Sequence, residues 1–257
     1  GTLEDGEAIR SPGTANQFTI ETTDGLGSLD AYFIPSHGEN SQYVNTTIVY
    51  NHGNYAGIEH YQPRVHMLHE LGFNVFVWDY RGYGKSLPAT SPSPEQFMAD
   101  AIQIRDFADT IAPDTDKIIP YAFSLGGIPT MEMAAQRDNC AIILEAAFTS
   151  LGQIMSNNTA TGLPATFLSS GDYEGKEKMA KYDGPVLAMI GTKDRKFTVD
   201  SWRDILEAAS GPSELWILEG VDHGIASGGV PEAGFSEYGG KIRSFLEVNA
   251  PSCIEAN

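Results

Sequence analysis

Basic residues, cysteines and long apolar runs are all scarce in this sequence of 257 residues. Its 16 lysines and arginines stand against 34 aspartates and glutamates, which gives a formal net charge of −18. A field of that sign repels nucleic acids and anionic lipid surfaces, so we expect neither as a partner. No apolar run approaches the roughly 20 residues that a membrane-spanning helix requires, so we expect no membrane span.

The two cysteines, Cys140 and Cys253, are too few for a disulfide-rich scaffold and too far apart for a zinc knuckle. One disulfide that ties down the C-terminal tail is one interpretation, and two separate thiols are the other. The chain begins GTLEDGEAIRSPG, without Met or a charged-then-apolar leader, as expected of a mature or trimmed soluble chain. With the low lysine content, these features favour an extracytoplasmic protein, periplasmic or secreted. A cytoplasmic enzyme that had been cut for expression would look the same.

The apolar pattern predicts an α/β fold in a single domain over residues 1–257. Segments 17–23 and 28–35 alternate around the turn signal DGLG, which predicts an antiparallel hairpin at one edge of a sheet. Six denser apolar runs are typical of strands buried on both faces of a parallel sheet: 46–51, 74–80, 117–123, 141–147, 185–191 and 214–220. We therefore predict a mostly parallel sheet of about eight strands.

Helical patterns lie between the apolar runs. The clearest covers residues 94–112, where apolar side chains recur at spacings of three and four, and Ser93 with Gln96 completes a capping box before it. Similar patterns cover 61–71, 199–210 and 235–248. The alternation of strands and helices predicts helices on both faces of the sheet, joined by right-handed crossovers.

The segment YAFSLGG, residues 121–127, places Ser124 between an apolar run and a helical pattern. A strand that turns abruptly into a helix lifts its turning residue out of the fold, and it needs very small residues two positions before and after. Ala122 and Gly126 meet that need, although the usual residue at the first position is glycine. An ordinary helix start is the alternative for this segment taken alone.

A serine nucleophile needs a basic histidine that is oriented by a carboxylate. Asp194 and His223 each follow a predicted strand, at the carboxyl edge where ligands bind in parallel sheets. Asp200 and Asp222 are rivals of Asp194. We expect Asp200 to cap the following helix instead, and the side chain of Asp222 to diverge from that of its neighbour His223.

Two backbone N–H groups are candidates for stabilising a negatively charged tetrahedral intermediate. The segment YNHGNYAG follows the predicted strand 46–51 and turns at His52, which would direct the N–H of Asn54 to the same point as the N–H of Leu125. The N–H of Leu125 lies at a helix start, where negative charge is favoured. We interpret His52 as a structural residue of the loop.

Six motifs in this order resemble the α/β-hydrolase superfamily, especially its small-cap serine hydrolases related to serine aminopeptidases and carboxylesterases: YNHGNYAG, VWDYRGYGKS, AFSLGG, AAFTSL, IGTKDRKFTV and LEGVDHG. The similarity spans roughly residues 15–248. It implies the α/β-hydrolase fold, with Ser124 as nucleophile, Asp194 as acid, His223 as base, and Asn54 with Leu125 as oxyanion-binding amides.

The resemblance further implies that Asp79 and Arg81 brace loops near the site. We expect no metal or organic cofactor, because acyl transfer by a serine needs none. His66 and His69 share a helix face but lack further ligands at a suitable spacing, so we expect no metal site there.

The substrate class is the least determined part of the interpretation. Residues 150–184 interrupt the strand–helix rhythm, and we predict a small cap or lid there. Tyr55 and the apolar cap residues Leu163, Phe167 and Leu168 are candidate substrate contacts. We expect a small-molecule carboxylic ester of modest chain length. Peptidase or amidase action, thioester hydrolysis and a catalytically silent binding module remain the alternatives.

Overall fold

The computed structural model describes residues 15–38, 41–150, 173–224 and 229–254. Within these ranges the chain forms eight strands: β1 (Asn16–Glu21), β2 (Ser28–Ile34), β3 (Thr47–Asn51), β4 (Asn74–Trp78), β5 (Ile118–Phe123), β6 (Ile142–Glu145), β7 (Val186–Gly191) and β8 (Ser213–Leu218). The same ranges contain six α-helices: α1 (Gln62–Glu70), α2 (Pro94–Ile111), α3 (Gly127–Gln136), α4 (Gly175–Lys181), α5 (Val199–Leu206) and α6 (Phe235–Asn249). None of these helices is both long and apolar enough to cross a membrane.

All eight strands belong to one sheet, in the order β1-β2-β4-β3-β5-β6-β7-β8. β2 pairs with β1 and with β4 in antiparallel register, and every other pairing is parallel. The predicted mostly parallel sheet with an antiparallel hairpin at one edge is confirmed. Since β3 to β8 run in one direction, the loops that follow them meet along a single carboxyl edge.

The sheet separates two apolar cores. One core packs side chains of α2, α3, α4 and α5 against one face, and the other packs α1 and α6 against the opposite face. Adjacent strand residues divide between them, so that Val49 lies in the first core and Ile48 in the second. Both faces are therefore covered by helices, as predicted, which explains why the parallel strands read as unbroken apolar runs.

Helix α2 begins as its sequence predicts. The side chain of Ser93 accepts a hydrogen bond from the N–H of Gln96 (3.2 Å), and the side chain of Gln96 accepts one from the N–H of Ser93 (3.0 Å). Phe97, Ala101 and Ile104 are buried against the sheet.

The start of α5 differs from the expectation. Thr198, and not Asp200, is the capping residue, and its hydroxyl accepts a hydrogen bond from the N–H of Ser201 (3.2 Å). Asp200 lies in the first turn of the helix and forms an exposed ion pair with Arg203 (2.7 Å). The prediction was wrong by two residues because threonine and aspartate are both good caps and the local sequence contains both.

The predicted cap, residues 150–184, falls mostly outside the described residues, because 151–172 are not among them. Its described end forms α4, whose Met179 is buried in the first core. The division into one domain with a small cap stays a prediction.

Cys140 and Cys253 form a bonded pair in the structure, with their Cα atoms 5.4 Å apart. Cys140 lies two residues before the start of β6, and Cys253 ends a short turn after α6. The carbonyl oxygen of Cys253 also accepts a hydrogen bond from the hydroxyl of Thr46, next to the start of β3. The C-terminal tail is thus held against the amino edge of the sheet.

We expect the Cys253→Ser variant to lose about 2–5 kcal/mol of unfolding free energy, because a crosslink over a separation of 113 residues restricts the unfolded chain. Urea denaturation with and without dithiothreitol measures the difference. Dithiothreitol should destabilise the wild-type protein and leave the variant unchanged. Intact-mass spectrometry of the unreduced wild-type protein provides the direct check, and two free thiols there would contradict the pairing.

Candidate active site

The turn between β5 and α3 holds Ser124 in a strained conformation. Ser124 has φ +52°, in the left-handed region that non-glycine residues rarely occupy. It opens a single 3₁₀ turn, Ser124–Gly126, which leads directly into α3. Strain of this kind costs on the order of 1–3 kcal/mol and concentrates at functional sites.

Two glycines make this turn sterically possible. A Cβ atom on Gly126 would lie 2.0 Å from the carbonyl oxygen of Asn51, and one on Gly127 would lie 2.1 Å from that of Phe148. Both distances are far below a van der Waals contact, so neither position has room for a side chain. Ala122, where the family pattern has glycine, has its methyl group buried in the first core.

Ser124, His223 and Asp194 form a continuous hydrogen-bonded chain. The Ser124 Oγ lies 3.0 Å from Nε2 of His223, and Nδ1 of His223 lies 2.8 Å from Oδ2 of Asp194. When Nδ1–H donates to the carboxylate, Nε2 carries the lone pair that accepts the serine hydroxyl proton. The three residues follow β5, β8 and β7, so the common carboxyl edge brings them together.

The carboxylate of Asp194 is fixed from two directions. Its Oδ1 accepts hydrogen bonds from the N–H groups of Lys196 (2.7 Å) and Phe197 (3.0 Å), while Oδ2 faces His223. Burial lowers the pKa of Lys196, and the nearby Asp194 carboxylate partly opposes that effect. Asp222 is exposed, and its Oδ1 accepts a hydrogen bond from the N–H of Gly224 (2.8 Å).

Aromatic rings flank the imidazole of His223. The ring centroids of Phe123 and Phe197 each lie 5.4 Å from that of His223. Both phenylalanines are buried, so they limit the rotation of the imidazole and its contact with water. Proton transfer between Ser124 and His223 would therefore take place in a shielded environment, where electrostatic interactions are stronger than in water.

The loop that carries Asn54 lies beside the Ser124 turn. A Cβ on Gly53 would approach the ring of Phe123 to 2.9 Å, so the loop and the residue before Ser124 are in close contact. The side chain of Asn54 accepts a hydrogen bond from the hydroxyl of Tyr83. Asn54 follows β3 and Leu125 follows the neighbouring strand β5. Their joint role as oxyanion-binding amides stays a prediction.

Of the four predicted substrate contacts, the structure describes only Tyr55. Its side chain is 53% exposed, its N–H donates to the hydroxyl of Tyr61 (3.0 Å), and its ring meets that of His60 edge-on. Leu163, Phe167 and Leu168 lie outside the described residues.

Comparison with known families decides the relationship. Residues 42–170, half of the chain, match the family model described as serine aminopeptidase, S33. The chain belongs to this family of α/β-hydrolases. The matched range includes Ser124 and ends before Asp194 and His223.

Relatives of this hydrolase extend the similarity over most of the chain. The Mycobacterium tuberculosis protein Rv2307c, described as uncharacterized, is 30% identical over 206 residues, which cover 79% of this chain and 70% of that protein. YfhR of Escherichia coli, also described as uncharacterized, is 27% identical over 219 residues, covering 82% of this chain and 74% of that protein. Both alignments therefore cover most of the residues that lie outside the range matched by the family model.

Solved structures share the fold at low sequence identity. The Pyrococcus furiosus esterase Pf2001 superposes with a TM-score of 0.73 and 18% identity, covering 97% of this chain and 94% of that one. Est1E from Butyrivibrio proteoclasticus, in a structure with ferulic acid bound, gives a TM-score of 0.69 and 18% identity, covering 90% and 99%. At such identities the likeness establishes the α/β-hydrolase fold.

The motif VWDYRGYGKS supports the loops beside the candidate site. The buried carboxylate of Asp79 accepts a hydrogen bond from the N–H of Ile58 (2.9 Å) and lies 3.2 Å from Nε2 of His52, without hydrogen-bond geometry to that atom. The hydroxyl of Tyr80 donates to the carbonyl of His52 (2.6 Å), and the two rings stack at 4.1 Å. His52 is fully buried in this loop. Among the described interactions, none joins His52 to Ser124.

Arg81 joins three separate segments in this hydrolase. Its guanidinium donates to the carboxylates of Asp100 in α2 and Asp24 in the β1–β2 turn, with two bonds to each at 2.8–3.0 Å. Such paired contacts orient the guanidinium rigidly.

A buried ion pair that was not predicted from the sequence lies next to Phe123. Nη2 of Arg64 donates to Oε1 of Glu145 at 2.9 Å, and both side chains are fully buried. The Arg64 guanidinium carbon lies 3.7 Å from the ring centroid of Phe123, the ring that also contacts His223. The signal was present in the run AIILEAA, since a glutamate inside a buried strand requires a partner.

Tyrosines complete the hydrogen bonds of this pair. Tyr121 donates to Oε2 of Glu145 (2.6 Å), and its hydroxyl lies 2.7 Å from that of Tyr238. Burial and the Glu145 carboxylate raise the pKa of both tyrosines, so their hydroxyls stay protonated. Burial acts most strongly on Arg64 and lowers its pKa, but Glu145, Tyr50 and Tyr121 together outweigh burial, so the pKa is raised.

We expect Arg64→Met to lose about 3–5 kcal/mol of unfolding free energy, because Glu145 would stay buried without its cation. The Arg64→Met/Glu145→Gln double variant should recover much of that loss, since no unpaired charge remains. Urea denaturation of the single variants, the double variant and the wild-type protein measures the coupling. Additive losses in the double variant would contradict the energetic coupling of the pair.

Proposed function

We propose that this protein is a serine hydrolase that cleaves carboxylic esters through an acyl-enzyme intermediate. The observation that carries the proposal is the hydrogen-bonded chain from Ser124 Oγ through His223 to Asp194, at 3.0 and 2.8 Å. This chain begins at a residue held in a strained turn, φ +52°. A nucleophile, a base and an orienting carboxylate in hydrogen-bonding sequence form the arrangement that activates a serine.

In the proposed acylation, Nε2 of His223 takes the Ser124 proton as Oγ attacks the ester carbonyl. The resulting imidazolium is stabilised by the Asp194 carboxylate, which stays ionised. The same imidazolium then donates its proton to the leaving alcohol, and the acyl group remains bonded to Ser124.

The negative oxygen of the tetrahedral intermediate requires preorganised donors. We assign this role to the backbone N–H groups of Leu125 and Asn54. Each such donor lowers the barrier by about 3 kcal/mol. The close packing of the Gly53 loop on Phe123 and the start of α3 behind Ser124 support the assignment.

Deacylation repeats the proton transfers with water. His223 removes a proton from water, which attacks the acyl carbonyl, and Ser124 recovers its proton as the acid product leaves. Besides the substrate and this water, the proposed cycle uses side chains and backbone groups of the chain.

Esters are the proposed substrate class because alcohols are easier leaving groups than amines. One structural neighbour, Pf2001, is named an esterase, and another, Est1E, was solved with ferulic acid bound, which supports the same choice. We retain Tyr55, Leu163, Phe167 and Leu168 as proposed contacts of a modest acyl chain. The description of the matched family, serine aminopeptidase, favours peptide or amide bonds as the second candidate.

We expect a fluorophosphonate to label the folded protein at Ser124, as mapped by peptide mass spectrometry. Ser124→Ala and His223→Ala should abolish labelling. Asp194→Asn should lower kcat for a reactive ester by about 10⁴-fold, because an amide favours the wrong tautomer of the imidazole and does not stabilise the imidazolium. Asp222→Asn is the matched control, since that carboxylate adjoins His223 in sequence but not in the hydrogen-bonded chain.

The absence of labelling in a folded sample whose pocket is open to ligands would count against any hydrolase assignment. The catalytically silent binding module would then become the leading interpretation. If Asp222→Asn were as damaging as Asp194→Asn, the assignment of the acid would fail while the nucleophile stood.

A second measurement distinguishes esters from amides. We expect kcat/KM for p-nitrophenyl esters to peak at short or medium acyl length and to exceed the values for the matching p-nitroanilides. The reason is that the same site must expel a phenol from the ester and an amine from the anilide, and the amine is the poorer leaving group. Faster cleavage of aminoacyl anilides than of every ester would replace the esterase proposal with the aminopeptidase one.

We also propose an extracytoplasmic location, based on the acidic composition and the Cys140–Cys253 pairing. A disulfide persists most readily in an oxidising compartment. The mass measurement of the unreduced cysteines tests the main support, since free thiols would remove it.

A further inference from the structure

Three side chains able to ligate a metal meet at the amino edge of the sheet, where β2 ends and β4 begins. Ile34 of β2 pairs with Val75 of β4 there, whereas Ser124 lies after the carboxyl end of β5. His37, in the segment after β2, and His69 and Glu70, at the end of α1, each offer one ligand atom, and these atoms lie within 4.8 Å of one another.

The imidazole of His69 forms a hydrogen bond with the backbone. Its Nε2 lies 2.9 Å from the carbonyl oxygen of Pro35, to which it can only donate. In the neutral ring this leaves the lone pair on Nδ1. Histidine ligands in metal sites commonly donate their other N–H to a backbone carbonyl in this way.

The segment that carries His37 is fixed beside α1 by contacts of its own. The hydroxyl of Ser36 donates to the carbonyl of Gly72 (2.7 Å), and the N–H of Ser36 donates to Oδ1 of Asn74 (2.9 Å). The imidazole rings of His37 and His69 consequently lie 4.5 Å apart between centroids. The two histidines are therefore brought together before any ion binds.

The separations suit a tetrahedral ion after small side-chain adjustments. Zn²⁺–nitrogen bonds of about 2.0–2.1 Å place neighbouring ligand atoms about 3.4 Å apart. The exposed side chains of His37 and Glu70 have room to close the remaining distance. Glu70 now lies 4.0 Å from Nδ1 of His66, a weak exposed contact that it would exchange for the ion.

We propose that His37, His69 and Glu70 bind one divalent transition-metal ion, Zn²⁺ in the first place, with water as the fourth ligand. Two imidazoles and one carboxylate are a ligand set that Zn²⁺ favours. The ion would join the segment after β2 to the end of α1, at the opposite edge from Ser124. The acidic surface, with a net charge of −18, raises the local concentration of cations.

The test is isothermal titration calorimetry of untagged protein, stripped with EDTA, against zinc chloride. We expect one ion per chain, and we expect His37→Ala, His69→Ala and Glu70→Gln each to weaken binding at least about tenfold. At a hundredfold excess over Kd, Zn²⁺ should raise Tm of the wild-type protein by about 5 °C. Co²⁺ should give the visible absorption of a tetrahedral nitrogen–oxygen site.

His60→Ala is the matched control, because His60 and Glu59 form an exposed pair at 3.2 Å without belonging to the three-ligand group. This variant should bind Zn²⁺ like the wild-type protein, as should His223→Ala, which removes the imidazole near Ser124. Circular dichroism of each variant verifies folding. The proposal would be overturned by several weak equivalents that none of the three ligand variants reduces, or by loss of the strong site in His223→Ala alone.

Discussion

The contact between the Ser124 turn and the end of β3 is the constraint on which the candidate active site depends. The Gly126 backbone lies so near the Asn51 carbonyl that no side chain fits between them. Asn51 is itself immobilised, since its Oδ1 accepts from the indole of Trp78 (2.7 Å) and its Nδ2 donates to Thr130 in α3 (2.8 Å). Neighbouring elements therefore hold Ser124 in a conformation that it would not adopt alone.

Phe123 connects the candidate site to the interior. Its ring contacts the guanidinium of Arg64, which belongs to the buried ion pair, and the imidazole of His223. The free energy of desolvating two charges offsets much of the Coulomb attraction between them, so the intact pair contributes little net stability. Its evident consequence is geometric, because the hydrogen bonds of Arg64 and Tyr121 to Glu145 hold α1, β5 and β6 in one arrangement below the site.

The scarcity of basic residues has a structural counterpart. Arg64, Arg81, Arg105 and Lys178 are all buried, and each forms an ion pair with a carboxylate. A quarter of the 16 lysines and arginines is thus held in pairs that carry no net charge, so the surface keeps the strongly acidic balance of the composition. Such a surface repels polyanions and attracts metal ions.

The amino-acid sequence by itself determined the alternation of strands and helices, the edge hairpin, the capping box of α2 and the order of the motifs around Ser124. Each of these depends on local spacing, because helices and buried strands impose periods of a few residues. The same spacing could not separate Thr198 from Asp200 as the cap of α5, since both suit the position.

Only the tertiary structure decided which distant side chains meet. Arg64 pairs with Glu145, which lies 81 positions further along the chain, and His69 approaches His37 rather than His66. These contacts follow from the strand order and from the direction in which each loop leaves the sheet. Both are set by the packing of two cores against opposite faces of the sheet, and no local stretch of sequence contains that information.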